Sequence, residues 1–243
     1  MSGHSKWNNI KRRKGAEDAK RAKIFTKIGR EIQVAVRAGG PDPATNNKLS
    51  DVVAKAKAAN MPNDNIQRSI KRAAGGGEGE NYEDVQYEGY GAGGVAVLVK
   101  ALTDNRNRTA AEVRHAFDKF GGNLGTTGCV AFMFNNKGQL VLERDQYSDA
   151  DAVMLDAIEA GAEDVEEDEN VFVVTTAPEN YSAVMKNLSD KGYQFAEAVL
   201  EPVPDNYIEV SDPAQREQLE TLIDTLEDND DVQGVYHNWT VEE

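Results

Sequence analysis

One cysteine, Cys129, stands in 243 residues, so no intramolecular disulfide can form and a reducing compartment is expected. Apolar runs are short: the strongest, Val95 to Val99, stops at Lys100, far below the roughly 20 residues of a membrane helix. The N-terminus has the lysines of a signal peptide but no apolar stretch behind them, because Lys11, Arg12, Arg13 and Lys14 lead into Glu17 and Asp18. It therefore reads as mature, folded, cytoplasmic protein.

Catalytic signatures are missing too. The histidines His4, His115 and His237 are scattered with no partner at metal-ligand spacing. No G-x-S-x-G elbow occurs, and the lone cysteine lies in an apolar run where a thiol is inert. The acidic stretches at Glu166–Glu169 and Asp228–Asp231 lack the glycine and closing glutamate of an EF-hand loop and read as solvated faces. Gly89, Gly91 and Gly94 satisfy the letters G-x-G-x-x-G, yet a strand follows them where a dinucleotide site needs a helix, so a glycine-rich turn between strands is the better reading. No catalytic residue, metal site, cofactor or small-molecule substrate is expected, and the chain does not read as an enzyme.

What the chain does have is separated charge. Its 27 basic and 42 acidic side chains give a net −15, an average that hides two opposite parts. Residues 1–74 carry 17 basic against 6 acidic groups, and the remainder carries 10 against 36. A basic head precedes an acidic body, a distribution expected of a nucleic-acid binder that docks head first.

The spacing predicts a helix over 16–38, where Phe25, Ile28, Ile32 and Val36 line one face until Gly39, Gly40 and Pro41 stop it. Lys20, Lys23, Lys27 and Arg30 fall opposite, as a basic stripe. A second helix fits 44–59, and a third follows Pro62 with Asn63 or Asp64 as its cap. The run Gly75 to Glu80 has no periodicity and ends this all-helical part. Helices then alternate with β-rich runs. Strand 95–102, helix 109–120 and strand 129–134 form a β-α-β unit. Strands at 139–143, 164–167, 171–176 and 195–200 with helices 149–160 and 178–191 make a complete β-α-β-β-α-β. Strand 207–210, helix 213–226 and strand 232–239 close the chain.

The expected fold is thus α+β: an N-terminal all-helical domain followed by two ferredoxin-like β-α-β-β-α-β plaits, one inserted in the other. The boundaries are 1–77 for the helical nucleic-acid-binding domain, 81–135 with 205–243 for the discontinuous plait, and 136–204 for the acidic insert.

Candidate nucleic-acid contacts are Lys6, Lys11, Arg12, Arg13 and Lys14, with Trp7 among them as a stacking surface, and the stripe Lys20, Lys23, Lys27 and Arg30. Arg68, Lys71 and Arg72 on the third helix could mimic a helix-turn-helix reader. Arg106 and Arg108 precede Thr109 and Glu112, which have the spacing of a capping box. Two arginines beside a helix start suit phosphate, and they equally suit salt bridges to the acidic body.

Several stretches are specific enough to name a family. The opening Gly3-His4-Ser5-Lys6-Trp7, Lys23 to Lys27, Tyr87 to Gly91, Asp104 to Thr109, Glu112 to Phe117, Gly121 to Gly125 and the closing Asp231 to Asn238 resemble the YebC/PmpR family along the whole chain. The resemblance implies a three-domain cytoplasmic bacterial protein, described as a probable transcriptional regulator. It has ribosome-associated relatives that assist translation of consecutive prolines and mitochondrial relatives that activate translation. Positive charge on a tail and a long helix suits folded RNA better than a short major-groove reader. The ranked expectation is a ribosome-bound translation factor that contacts ribosomal RNA or tRNA, with a DNA-binding transcriptional regulator second and no membrane partner.

Overall fold

The computed structural model describes residues 17–75 and 81–240, with side chains from Ala22 onward. The first helix, α1 (Glu17–Gly39), turns Ile28, Ile32, Ala35 and Val36 into a closed core with Leu49, Val52 and Ala56 of α2 (Asn47–Ala58) and Ile66 and Ile70 of α3 (Asn63–Ala74). Asn46 sets the α1–α2 corner. Its buried amide donates to the carbonyls of Ala35 and Gly40 while its oxygen accepts the Leu49 N–H as the α2 cap, and Gly40 takes φ 87°. The second helix therefore starts three residues later than its composition suggests. The third starts at Asn63 with Pro62 before it, so neither Asn63 nor Asp64 caps it.

The following sheet has the strand order β3-β1-β2-β9. It comprises β1 (Glu83–Tyr90), β2 (Ala96–Thr103), the two-residue β3 (Asn123–Leu124) and β9 (Val232–His237). Helices α4 (Arg106–Lys119) and α7 (Pro213–Asp228) contribute Val113, Phe117, Leu219, Leu222, Ile223 and Leu226 to its core. The glycine-rich loop is the β1–β2 hairpin connection, closed by the Gly91 N–H on the Val95 carbonyl with Gly93 and Gly94 at positive φ. Gly89 and Gly91 let the helices close: a Cβ on Gly89 would stand 2.6 Å from the Asn123 carbonyl oxygen and 2.8 Å from Phe117 Cε1, and one on Gly91 would stand 2.6 Å from Leu219 Cδ2. Gly89→Ala is expected to destabilise by about 1–3 kcal/mol through overpacking against backbone that cannot retreat, read as a fall of several degrees in Tm. An unchanged melt would mean that the β1–β3 edge yields.

The insert is built from β4 (Phe134–Glu143), α5 (Ala150–Ala160), β5 (Asp164–Glu167), β6 (Val171–Thr176), α6 (Tyr181–Asp190) and β7 (Glu197–Pro204). Its sheet, ordered β5-β6-β4-β7, is antiparallel at every pairing, which is the ferredoxin-like arrangement. Leu140, Leu142, Phe172 and Val174 pack there beneath Val153, Ala157, Val184 and Leu188 of its helices.

The α+β class holds, with two strands to correct. Of the run 129–134 only Phe134 is extended, as the start of β4, and the rest is a loop and a single 3-10 turn, Ala131–Met133, that leaves Phe132 74% exposed. The run 207–210 yields only β8 (Ile208–Glu209), paired in parallel with β10 (Trp239–Thr240) in a separate ribbon. The two vacant places in the discontinuous plait are filled by β1 and the two-residue β3, to which the sequence assigns no element. The register of β1 with β2 is continuous from Glu83↔Thr103 to Tyr90↔Ala96, and eight paired residues outweigh what the two-residue β8 could offer.

Contacts divide the chain into two compact units, one running to Cys129 and taking up Ser211–Val235, the other holding Val130–Val210 and the end from Tyr236. The helical segment is thus grouped with the discontinuous plait, where the sequence suggested a boundary near Gly75.

Candidate nucleic-acid interface

Lys6, Trp7, Lys11, Arg12, Arg13 and Lys14 lie outside the described residues, and Lys20 lies on α1 ahead of the described side chains. The rest of the stripe is placed, and it is occupied. Positions 23, 27 and 30 recur at spacings of four and three, so one helix face presents all three cations to the end of α7. Lys23 Nζ is 3.1 Å from the Asp228 carboxylate and also donates to the Asp228 carbonyl. Lys27 Nζ donates to the Glu227 carbonyl at 2.7 Å. Arg30 donates to the Asp230 carbonyl at 2.8 Å and to Asp231 Oδ1 at 2.5 Å, with its guanidinium over the Tyr82 ring. A helix ends in unpaired carbonyls and a partial negative charge, and three cations satisfy both. Burial pulls the Lys27 amine below its usual range, opposed by the field of Glu227 and Asp230.

The second arginine pair divides. Arg106 is mostly exposed, 3.9 Å from Glu83. Arg108 Nη2 instead donates at 2.8 Å to both Asp104 and Asp231, and these hydrogen bonds push its pKa up. Of the two openings left by the sequence, the ion pair describes Arg108. The capping box does not form. Helix α4 begins at Arg106 with Asn105 as its cap, and Thr109 is buried, donating its hydroxyl to Asp231 Oδ2 at 2.7 Å.

Asp231 is the group that sequence reasoning missed. Its side chain is 4% exposed and receives Arg30, Arg108, Thr109 and Thr103. Its backbone is fixed by Asn229 Oδ1 at its N–H and by the Leu102 N–H at its carbonyl. Burial would raise this carboxyl, but the hydrogen bonds from Arg108, Thr109 and Arg30 win and hold it at about 2. The only signal in the sequence was that Asp231 opens the last family-like stretch.

The double variant Arg106→Ala/Arg108→Ala is expected to lower Tm, nearly all of it through Arg108, because Asp231 loses a buried donor while Arg106 is a surface contact worth about 0–1 kcal/mol. Melting the two single variants checks this. An Arg106 effect as large as that of Arg108 would contradict the geometry.

Free positive charge lies elsewhere. On α3, Arg68, Lys71 and Arg72 are exposed, share a sector of about 100°, and pair with nothing among the described residues. They run from the middle of the helix to its last turn, whereas Asp64 occupies its first turn.

The architecture is therefore a cationic helical segment closed onto one of two α+β plaits. Residues 5–76 match the TACO1/YebC protein N-terminal domain, residues 82–239 match the TACO1/YebC second and third domain, and the chain belongs to this family. It is 59% identical over 239 residues to a probable transcriptional regulatory protein of Acetivibrio thermocellus, covering 98% of this chain and 99% of that one. It is 57% identical over 243 residues to a protein of the same name from Ruminiclostridium cellulolyticum, covering 100% and 98%. The crystal structure of a conserved hypothetical protein from Aquifex aeolicus is similar, with a TM-score of 0.81 and 45% identity over 93% of both chains. Among the described residues, no helix is long and apolar enough to cross a membrane.

Proposed function

We propose that this protein is a non-enzymatic cytoplasmic regulator of gene expression that binds RNA through its helical segment and works on the ribosome. The observation that carries this is the placement of Arg68, Lys71 and Arg72, exposed and unengaged by the described residues, on the most basic part of an otherwise acidic chain. A helix-turn-helix protein reads base edges with the N-terminal residues of its recognition helix. Here that turn holds Asp64, which phosphates repel, while the cations sit toward the C-terminal end and suit backbone tracking. The acidic plaits favour an orientation in which the head meets ribosomal RNA or tRNA. By the family resemblance, the step assisted is peptide-bond formation at consecutive prolines.

DNA binding in transcription is the second reading, favoured by the names of the relatives, probable transcriptional regulatory proteins. Sedimenting a lysate through sucrose at low and high salt, with RNase or DNase, separates the two. Cofractionation with ribosomal particles that is lost on RNase treatment is expected. Association lost only on DNase treatment would transfer the function to transcription.

A further inference from the structure

We propose that the contact between α1 and the end of α7 is a latch exchanged by polyanions: α7 holds Lys23, Lys27 and Arg30 as phosphates would, and a nucleic acid opens the junction by taking these cations over. The gating of RNA binding rests on the reading above, whereas the latch itself can be tested without RNA.

Three observations carry the latch. First, apart from the Leu102 carbonyl at 3.5 Å from Arg30, the acceptors are oxygens of the kind phosphate offers, anionic or dipolar: the carbonyls of Glu227, Asp228 and Asp230 and the carboxylates of Asp228 and Asp231, within 2.5–3.2 Å of the three cations. They stand at the negative end of a helix, so the fold supplies an internal anion for the stripe. Second, the junction is held by hydrogen bonds, ion pairs and the stack of Arg30 on Tyr82, while the helical core is built from the three helices. The cluster from Ile28 to Ile70 includes no residue of the plait, so separation leaves the contacts within that core in place. Third, Asp231 is not stranded when Arg30 leaves. Arg108, Thr109 and Thr103 still donate to the carboxylate, and Asn229 and Leu102 still hold its backbone. Opening therefore loses one of four donors on a buried carboxylate rather than all of them, and the α7 end keeps its shape. Lys27, whose charge is held at a desolvation cost, gains from the exchange.

The test uses the full chain in a Cys129→Ser background, with dyes on cysteines placed at the exposed positions Ala54 and Glu220, and energy transfer read against inorganic polyphosphate and against a 30-nucleotide single-stranded RNA. Transfer is expected to fall with polyphosphate, and to fall in about 0.5 M KCl, where the screening length is about 4 Å. The charge-removed Asp228→Asn/Asp231→Asn protein is expected to be open before any addition and to bind the RNA about 10-fold tighter, because the closed state no longer reduces the competent fraction. Asp228→Asn alone, at an exposed pair, repeats the comparison with an effect of about 2-fold should the double variant melt too early. Unchanged transfer at saturating polyphosphate overturns the latch and leaves RNA binding standing. An open double variant with wild-type RNA affinity overturns the gating. Opening by polyphosphate with no RNA binding by any variant supports the latch and removes the RNA reading instead.

Discussion

Asp231→Ala is expected to lower stability by about 3–5 kcal/mol, the loss typical of removing one partner from a buried ion pair, because two guanidinium groups and two threonine hydroxyls aim at the missing carboxylate. At about 2–4 °C per kcal/mol for a chain of this length, the Tm falls on the order of 10 °C. Asp231→Asn, which retains one acceptor and the shape, sits between. The same carboxylate makes stability depend on acid in a defined direction. Its folded pKa of about 2 lies below the usual 3.8, so its contribution is complete above pH 4 and is lost as pH falls from 4 toward 2. The part tied to this group is about 2 kcal/mol, and the melt of Asp231→Asn should be correspondingly flatter across that window. A wild type and an Asn variant with parallel acid profiles would place the acid-sensitive group elsewhere.

The importance of Asp231 shows where the sequence was legible and where it was not. Regular periodicity carried α1 and the insert: Phe25, Ile28, Ile32 and Val36 face the helical core, and β6 spans Val171–Thr176 as its β-branched run suggests. What failed was decided by partners distant in the chain. The first half of β4, Phe-Asn-Asn-Lys-Gly, has no strand character of its own and is extended because it pairs with β7 from Phe134↔Pro204 to Gly138↔Leu200. The rest of the short apolar run, 129–133, has no such partner, and its side chains part, Val130 to the interior and Phe132 to solvent. Thr109 and Glu112 had the letters of a capping box, but Asn105 came first and Thr109 was drawn to Asp231.

The basic stripe was the most instructive case, since its angular position was readable and its partner was not. Lys23, Lys27 and Arg30 do fall away from the apolar seam, yet the oxygens that meet them lie about 200 residues later, in an acidic stretch that looked merely solvated. Surplus charge on a helix marks a surface that wants anions, and the fold itself can be the one to provide them.

That distinction decides the last expectation, in which reversal of Arg68, Lys71 and Arg72 to glutamate reduces RNA affinity by about 100-fold or more. The three side chains are exposed and unengaged by the described residues, so their change removes phosphate contacts without removing internal ones. At roughly 0.7–0.9 per contact, the slope of log affinity on log salt should flatten by about 2 to 3. Helix α3 remains folded, because Ile66 and Ile70, which seat it on the core, are untouched and exposed substitutions shift stability within about 0.5 kcal/mol. Reversal of Lys23, Lys27 and Arg30 makes the contrast. Placing carboxylates against Asp228, Asp231 and the α7 carbonyls should depress Tm as well as affinity. Binding isotherms at several salt concentrations, read beside melting curves, give each triple variant two numbers. Loss of affinity with an intact melt on α3 identifies the surface that meets RNA, and an unaltered salt slope there would move the contact off this helix altogether.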